Sequence, residues 1–152
     1  MPPCDHEEAD TRLLIHVQDA ILNGCSNCRV RTVDMDVVVI LIGKFHHLIT
    51  LGQDVNIWVA FGTGKYFTCH HINGICDVMG KEKSLALPVF HFTGCDTTSA
   101  FFRKGNKSAY EALKCYPDVT RAFTYMTLNP YTKVDADDPH FQLLERFSYS
   151  VY

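Results

Sequence analysis

"RVRTVDMDVVVILIG", residues 29–43, carries the decision about the fold. "RVRTV" alternates in the manner of a short strand. Two aspartates, Asp34 and Asp36, follow it, and an apolar run then continues to Gly52. The β-branched residues Val37–Ile40 suggest a second strand. The length of the run, and Asp34 or Asp36 placed to cap its start, favour instead a buried helix ending near Gly52. A strand that feeds directly into a buried helix is half of a βαβ unit. The two aspartates are the puzzle in it, because a carboxylate at the edge of a core is costly without a partner.

Working outward, "DHEEADTRLLIHVQDAILNG" (5–24) has Leu13, Leu14, Val17, Ile21 and Leu22 at helical spacing, acids in its first turn and Asn23-Gly24 as a stop. "VNIWVAF" (55–61) reads as a buried strand, and "GTGKYFTCHHI" (62–72) as a turn leading to a third strand. "INGICDVMG" and "KSLALPVFHFTG" suit two short helices. "NKSAYEALKCYP" and "PDVTRAFTYM" suit a helical pair broken at Tyr116-Pro117. "NPYTKVDADDP" is a polar loop, and "HFQLLERFSYSVY" resumes an apolar pattern. Strands alternating with helices, then helices alone, predict an α/β fold with a largely parallel sheet.

Bulk properties narrow the class. With 152 residues, 47% hydrophobic and 20% charged, the chain suits one soluble globular domain. A net charge of −3 argues against a protein held to nucleic acid by overall charge, so such binding needs a local basic patch or bound cations. Seven cysteines, an odd number with no secretory leader before them, point to reduced thiols inside a cell, nucleus or cytoplasm. No apolar run reaches the roughly 18 residues of a membrane span.

Three acidic clusters stand out: Glu7, Glu8 and Asp10; Asp34 and Asp36; and Asp96 in "FTGCDTT". Ligands of a parallel α/β sheet gather at the carboxyl ends of its strands, where Asp34 and Asp36 fall. Converging carboxylates repel unless cations neutralise them, and an all-oxygen donor set selects Mg²⁺ or Mn²⁺. Each cluster also has an ordinary structural use, as a partner of a helix dipole or as a helix cap.

Taken in order, "EEADTR" (7–12), "VDMDVVVIL" (33–41) and "FTGCDTTSAFFRKGNKSA" (92–109) resemble the PIN-like 5′-nuclease superfamily of flap endonuclease and XPG-type enzymes. The nearest likeness is to transposon-associated PIN-like segments, and it covers roughly residues 5 to 126. The resemblance implies a mainly parallel sheet flanked by helices, followed by a helix–two-turn–helix-like element. It implies a single domain over 1–152, with an α/β core at 5–95, the helix–two-turn–helix at 96–126, and a loop and C-terminal helix at 127–152. Members of the family begin with a further strand-and-helix section, so the domain is expected to be incomplete at its N-terminus.

By the same resemblance Glu8, Asp10, Asp34, Asp36 and Asp96 are catalytic metal ligands for two Mg²⁺ or Mn²⁺ ions, with Glu7 able to replace Glu8. The implied activity is hydrolysis of phosphodiester bonds in DNA or RNA. Arg12, Arg103, Lys104, Gly105 and Lys107 are the implied nucleic-acid contacts. Arg103, Lys104, Lys107 and Lys114 face only Glu111 in that stretch, a local basic patch in an acidic chain. No membrane and no small-molecule cofactor is expected. The alternative is a catalytically incomplete remnant that binds nucleic acid or serves as a scaffold.

Other signals carry less. Cys25-x-x-Cys28 with Cys69, His70 and His71 lacks the spacing of a zinc site, and Cys28, Cys69 and Cys76 suit small core positions with Cys25 exposed. "FGTGKYF" lacks the spacing and the hydroxyl of a phosphate loop and suits a hairpin turn. Cys95, with His91 four residues upstream, lacks a third group to orient a thiol nucleophile. His46 and His47 suit a helix surface, and Trp58 the core. There is no Gly-x-Ser-x-Gly elbow of a hydrolase.

Overall fold

The computed structural model describes residues 9–92, 116–129, 131–133 and 135–151. Its elements are α1 (Ala9–Leu22), β1 (Asn27–Thr32), α2 (Met35–Leu48), β2 (Asn56–Phe61), a 3₁₀ turn (Gly64–Tyr66), β3 (Thr68–His71), α3 (Ile72–Met79), α4 (Lys81–Phe92), α5 (Pro117–Leu128) and α6 (Pro139–Val151). The described residues fall into two compact units that divide between Lys81 and Glu82.

The first unit is an α/β fold built on a three-stranded sheet of order β1-β2-β3. β1 and β2 pair in parallel, from Asn27 with Asn56 to Thr32 with Phe61. The stretch between them is helical: α2 buries Val37, Val38, Val39, Leu41, Ile42, Phe45 and Leu48. Helix therefore prevails over the strand preference of four β-branched residues. It does so because the chain is capped at Asp34 and must cross back over the sheet before β2. The helix ends at Leu48, short of Gly52, where the Thr50 hydroxyl donates to the His47 carbonyl at 2.6 Å.

β3 pairs with β2 antiparallel, from Trp58 with His71 to Phe61 with Thr68. The sheet is thus mixed, which corrects the expectation of a largely parallel one. Only residues 62–67 link the two strands. A parallel crossover needs a dozen residues or more, so the short link imposes a hairpin. That hairpin is the expected use of "FGTGKYF".

The core of this unit lies on one face of the sheet. Cys28, Val30, Ile57 and Val59 are buried, as are Val17 and Ile21 of α1 and Ile72 and Cys76 of α3. Helix α1 packs on α2 and β1, and α3 packs on α2, β2 and β3. Beyond the end of β3, the Asn73 side chain continues the ladder: it accepts from the Ile57 N–H at 2.9 Å and donates to the Val55 carbonyl at 2.8 Å.

In the second unit α5 packs against α6. Val119, Ala122, Phe123 and Phe147 are buried, and the rings of Phe123 and Phe147 meet edge to face at 5.6 Å. Pro117 occupies the first turn of α5, where its missing N–H costs nothing, so the predicted break at Tyr116-Pro117 is a helix start. Residues 96–115 of the expected helix–two-turn–helix lie outside the described residues. No described helix is long and apolar enough to cross a membrane.

Candidate metal centre

Two helix starts meet beside the end of β1. Immediately after the strand, the Thr32 hydroxyl accepts the Asp34 N–H at 3.0 Å. Asp34 is then extended, and its Oδ1 accepts the Asp36 N–H at 2.9 Å, which makes it the N-cap of α2. Asp36 falls in the first turn of that helix, as Asp10 does in α1.

These three residues converge. One carboxylate oxygen from each of Asp10, Asp34 and Asp36 lies within 4.8 Å of the others. Asp10 and Asp36 are half-buried, and Asp34 is exposed. Two oxygens bound to one Mg²⁺ at about 2.1 Å are ~3.0 Å apart when adjacent and ~4.2 Å when opposite, so small rotamer changes bring such a triad onto one cation. At about 4 Å in a medium of intermediate dielectric, two carboxylates repel by roughly 4 kcal/mol. A divalent cation converts that repulsion into attraction. Two helix N-termini, each with positive dipole character, already offset part of it.

Capping and ligation are compatible at Asp34. The cap engages Oδ1, and a carboxylate carries a second oxygen for a cation. The sequence offered these as competing uses of the same residue. The geometry allows both.

No family model matches this chain. Nor does any curated protein or solved structure. The site's chemistry is therefore read from its own residues.

Of the expected ligands, the structure brings Asp10, Asp34 and Asp36 together. Glu7, Glu8 and Asp96 lie outside the described residues, as do Arg103, Lys104, Gly105 and Lys107. Arg12 is exposed on α1. Among the described residues this triad is the one group of three or more His, Cys, Asp or Glu side chains with ligand atoms so close.

Several secondary expectations need correction. Cys69 is exposed, whereas Cys28 and Cys76 are buried and Cys25 exposed as expected. It lies on β3, the short partner of the hairpin, whose first two residues are both exposed. His46 is half-buried rather than on the surface, and its Nε2 is buried without a hydrogen-bond partner among the described residues. Trp58 is 37% exposed and not a core residue. Period-two alternation sends Ile57 and Val59 inward and turns Trp58 outward. A uniformly apolar run hides that alternation. The neighbouring strand shows it openly, because Arg29 and Arg31 flank Val30.

Proposed function

We propose that the chain is a metal-dependent nuclease module of the PIN-like 5′-nuclease type, which hydrolyses phosphodiester bonds of DNA or RNA. The observation that carries this reading is the convergence of Asp10, Asp34 and Asp36 from two helix starts at the carboxyl end of β1. An oxygen-only triad suits Mg²⁺ or Mn²⁺. Such cations, when bound, neutralise a phosphate and lower the pKa of water for in-line attack.

In this reading Asp10, Asp34 and Asp36 fix a cation, and Glu8 and Asp96 are further ligands only as the family resemblance implies. Arg12, and the basic stretch with Arg103, Lys104, Gly105 and Lys107, are the contacts to the nucleic-acid backbone that the resemblance implies, and such contacts do not read sequence. No side chain is needed as nucleophile. Hydrolysis adds water across the P–O bond, with one product keeping the phosphate and the other a hydroxyl.

A second reading, a non-catalytic PIN-like remnant, is favoured by one observation: the Asp34 cap gives the Asp-x-Asp pair a structural use without any cation. The deciding experiment assays flap and single-stranded DNA and single-stranded RNA with Mn²⁺, using wild type beside an Asp34→Asn, Asp36→Asn variant. Cleavage by wild type alone supports the nuclease. Equal cleavage by both proteins ends that proposal. Absence of cleavage with retained Mn²⁺ binding gives the chain to the remnant reading.

A further inference from the structure

One face of the sheet is covered by helices, and the other carries several exposed side chains. Asn27, Arg29 and Arg31 are exposed between the buried Cys28 and Val30 of β1, and Trp58 is exposed between the buried Ile57 and Val59 of β2. Strand register sets these residues in rows. Arg29 lies beside Trp58 and Trp58 beside His71; in the next row Arg31 lies beside Ala60 and Ala60 beside Cys69. The indole of Trp58 stacks on the His71 imidazole, with centroids 4.2 Å apart and planes 19° apart. Ala60 itself is buried, so the exposed surface of this face is made by Asn27, Arg29, Arg31, Trp58 and Cys69.

The charge of the face is one-sided. On this face the strands carry Arg29, Arg31 and His71 and no carboxylate, His70 lying on the opposite face beside Val59, although the whole chain has a net charge of −3. Neither Arg29 nor Arg31 makes an ion pair or a ring contact with a described residue. Residues two apart on a strand are about 7 Å apart, a spacing comparable with that of adjacent phosphates in an extended single strand.

We propose that this face binds single-stranded nucleic acid, with Trp58, backed by His71, as the stacking platform and Arg29 and Arg31 as the phosphate contacts. Base faces are available for stacking only in an unpaired strand, and an aromatic platform flanked by guanidinium groups accepts any base. A duplex offers its phosphates but keeps its base faces stacked, so it satisfies half of the surface. The proposal does not rest on the nuclease reading, because it uses none of the carboxylates and needs no cation.

Trp58 is the single tryptophan of the chain, so its fluorescence reports on this face alone. The test titrates the full chain with fifteen-nucleotide oligo-dT and oligo-U in EDTA, with a duplex of equal length as comparison. Saturable quenching by either single strand, with weaker quenching by the duplex, is expected; the two arms show whether ribose or deoxyribose is preferred. Arg29→Ala combined with Arg31→Ala is expected to reduce the salt slope of log affinity by about 1.4, from two phosphate contacts at ~0.7 each on a single strand. Trp58→Ala, followed by anisotropy of a labelled oligonucleotide, is expected to bind roughly tenfold more weakly.

Absence of quenching in the wild type, duplex binding as tight as single-strand binding, or affinity and salt slope unchanged by the arginine replacements would each overturn the proposal. So would a blue shift of Trp58 emission that tracks self-association without oligonucleotide, since it would give the face to a second copy of the chain. All these readings are taken without divalent cations. Their failure is therefore separate from a failure of Mn²⁺-dependent cleavage.

Discussion

The backbone N–H of Asp36 donates to the carboxylate of Asp34 at 2.9 Å, tying the two acidic residues into one helix start. Asp34 consequently has a measurable structural role apart from any cation. Replacement by asparagine keeps a side-chain acceptor and removes the charge; replacement by alanine removes both.

Asp34→Ala is expected to lose about 1 kcal/mol of stability in EDTA, while Asp34→Asn stays near wild type. Added Mn²⁺ should raise the unfolding midpoint of wild type and of neither variant, since a ligand held by the folded state alone stabilises it by mass action. Thermal unfolding with and without Mn²⁺ measures both effects. A full Mn²⁺ shift in Asp34→Asn would remove Asp34 from the ligand set.

Asn73 holds the part of β2 that β3 is too short to reach, bonding both the Ile57 N–H and the Val55 carbonyl. Ile57 and Val55 are themselves buried. Asn73→Ala is therefore expected to cost roughly 2–3 kcal/mol, because two backbone groups lose their partner where water reaches them poorly. Urea unfolding gives the loss, and faster amide exchange at Ile57 gives its location.

The hairpin turn makes a contrast between two glycines. Gly62 has φ +83°, and a Cβ there would sit 2.6 Å from the Tyr66 carbonyl oxygen, whereas Gly64 has φ +54° with nothing within 4 Å. Gly64→Ala is expected to cost about 1 kcal/mol from left-handed backbone alone. Gly62→Ala adds a backbone clash and should cost at least about twice that. Equal losses in denaturant titrations would show that the turn relaxes around Gly62.

Burial, reinforced by a hydrogen bond to Cys25 and by its charge, pushes the Cys28 thiol up from 9.0 to about 11. Cys28 lies on the core face of β1, with its Sγ 3.9 Å from that of Cys25. Between these two values the unfolded chain has released a proton that the folded chain still holds. Stability linked to Cys28 is thus intact below about pH 9 and falls as the pH rises towards 11. Urea midpoints at about pH 8 and pH 10.5 should drop further for wild type than for Cys28→Ala. In the native protein at about pH 8, iodoacetamide should label the exposed Cys25 and Cys69 ahead of Cys28 and Cys76, read by mass spectrometry.

Much of this architecture is legible from neighbours a few residues apart. A cap by Asp34 or Asp36, which the structure assigns to Asp34, the helix after it, the stop at Asn23-Gly24 and the turn at "FGTGKYF" each follow from local hydrogen bonding, periodicity or backbone freedom. Three of the proposed ligands were visible as acids at helix starts for the same reason. What local chemistry leaves open is where one element sits on another. The meeting of Asp10 with Asp34 and Asp36 depends on α1 packing against α2 and β1, across more than twenty residues of chain. Likewise the outward turn of Trp58 and the exposure of Cys69 depend on which side of the sheet the helices cover. Side chains that alternate along a strand are equivalent until packing removes one face from water, and that choice is made by the assembled fold.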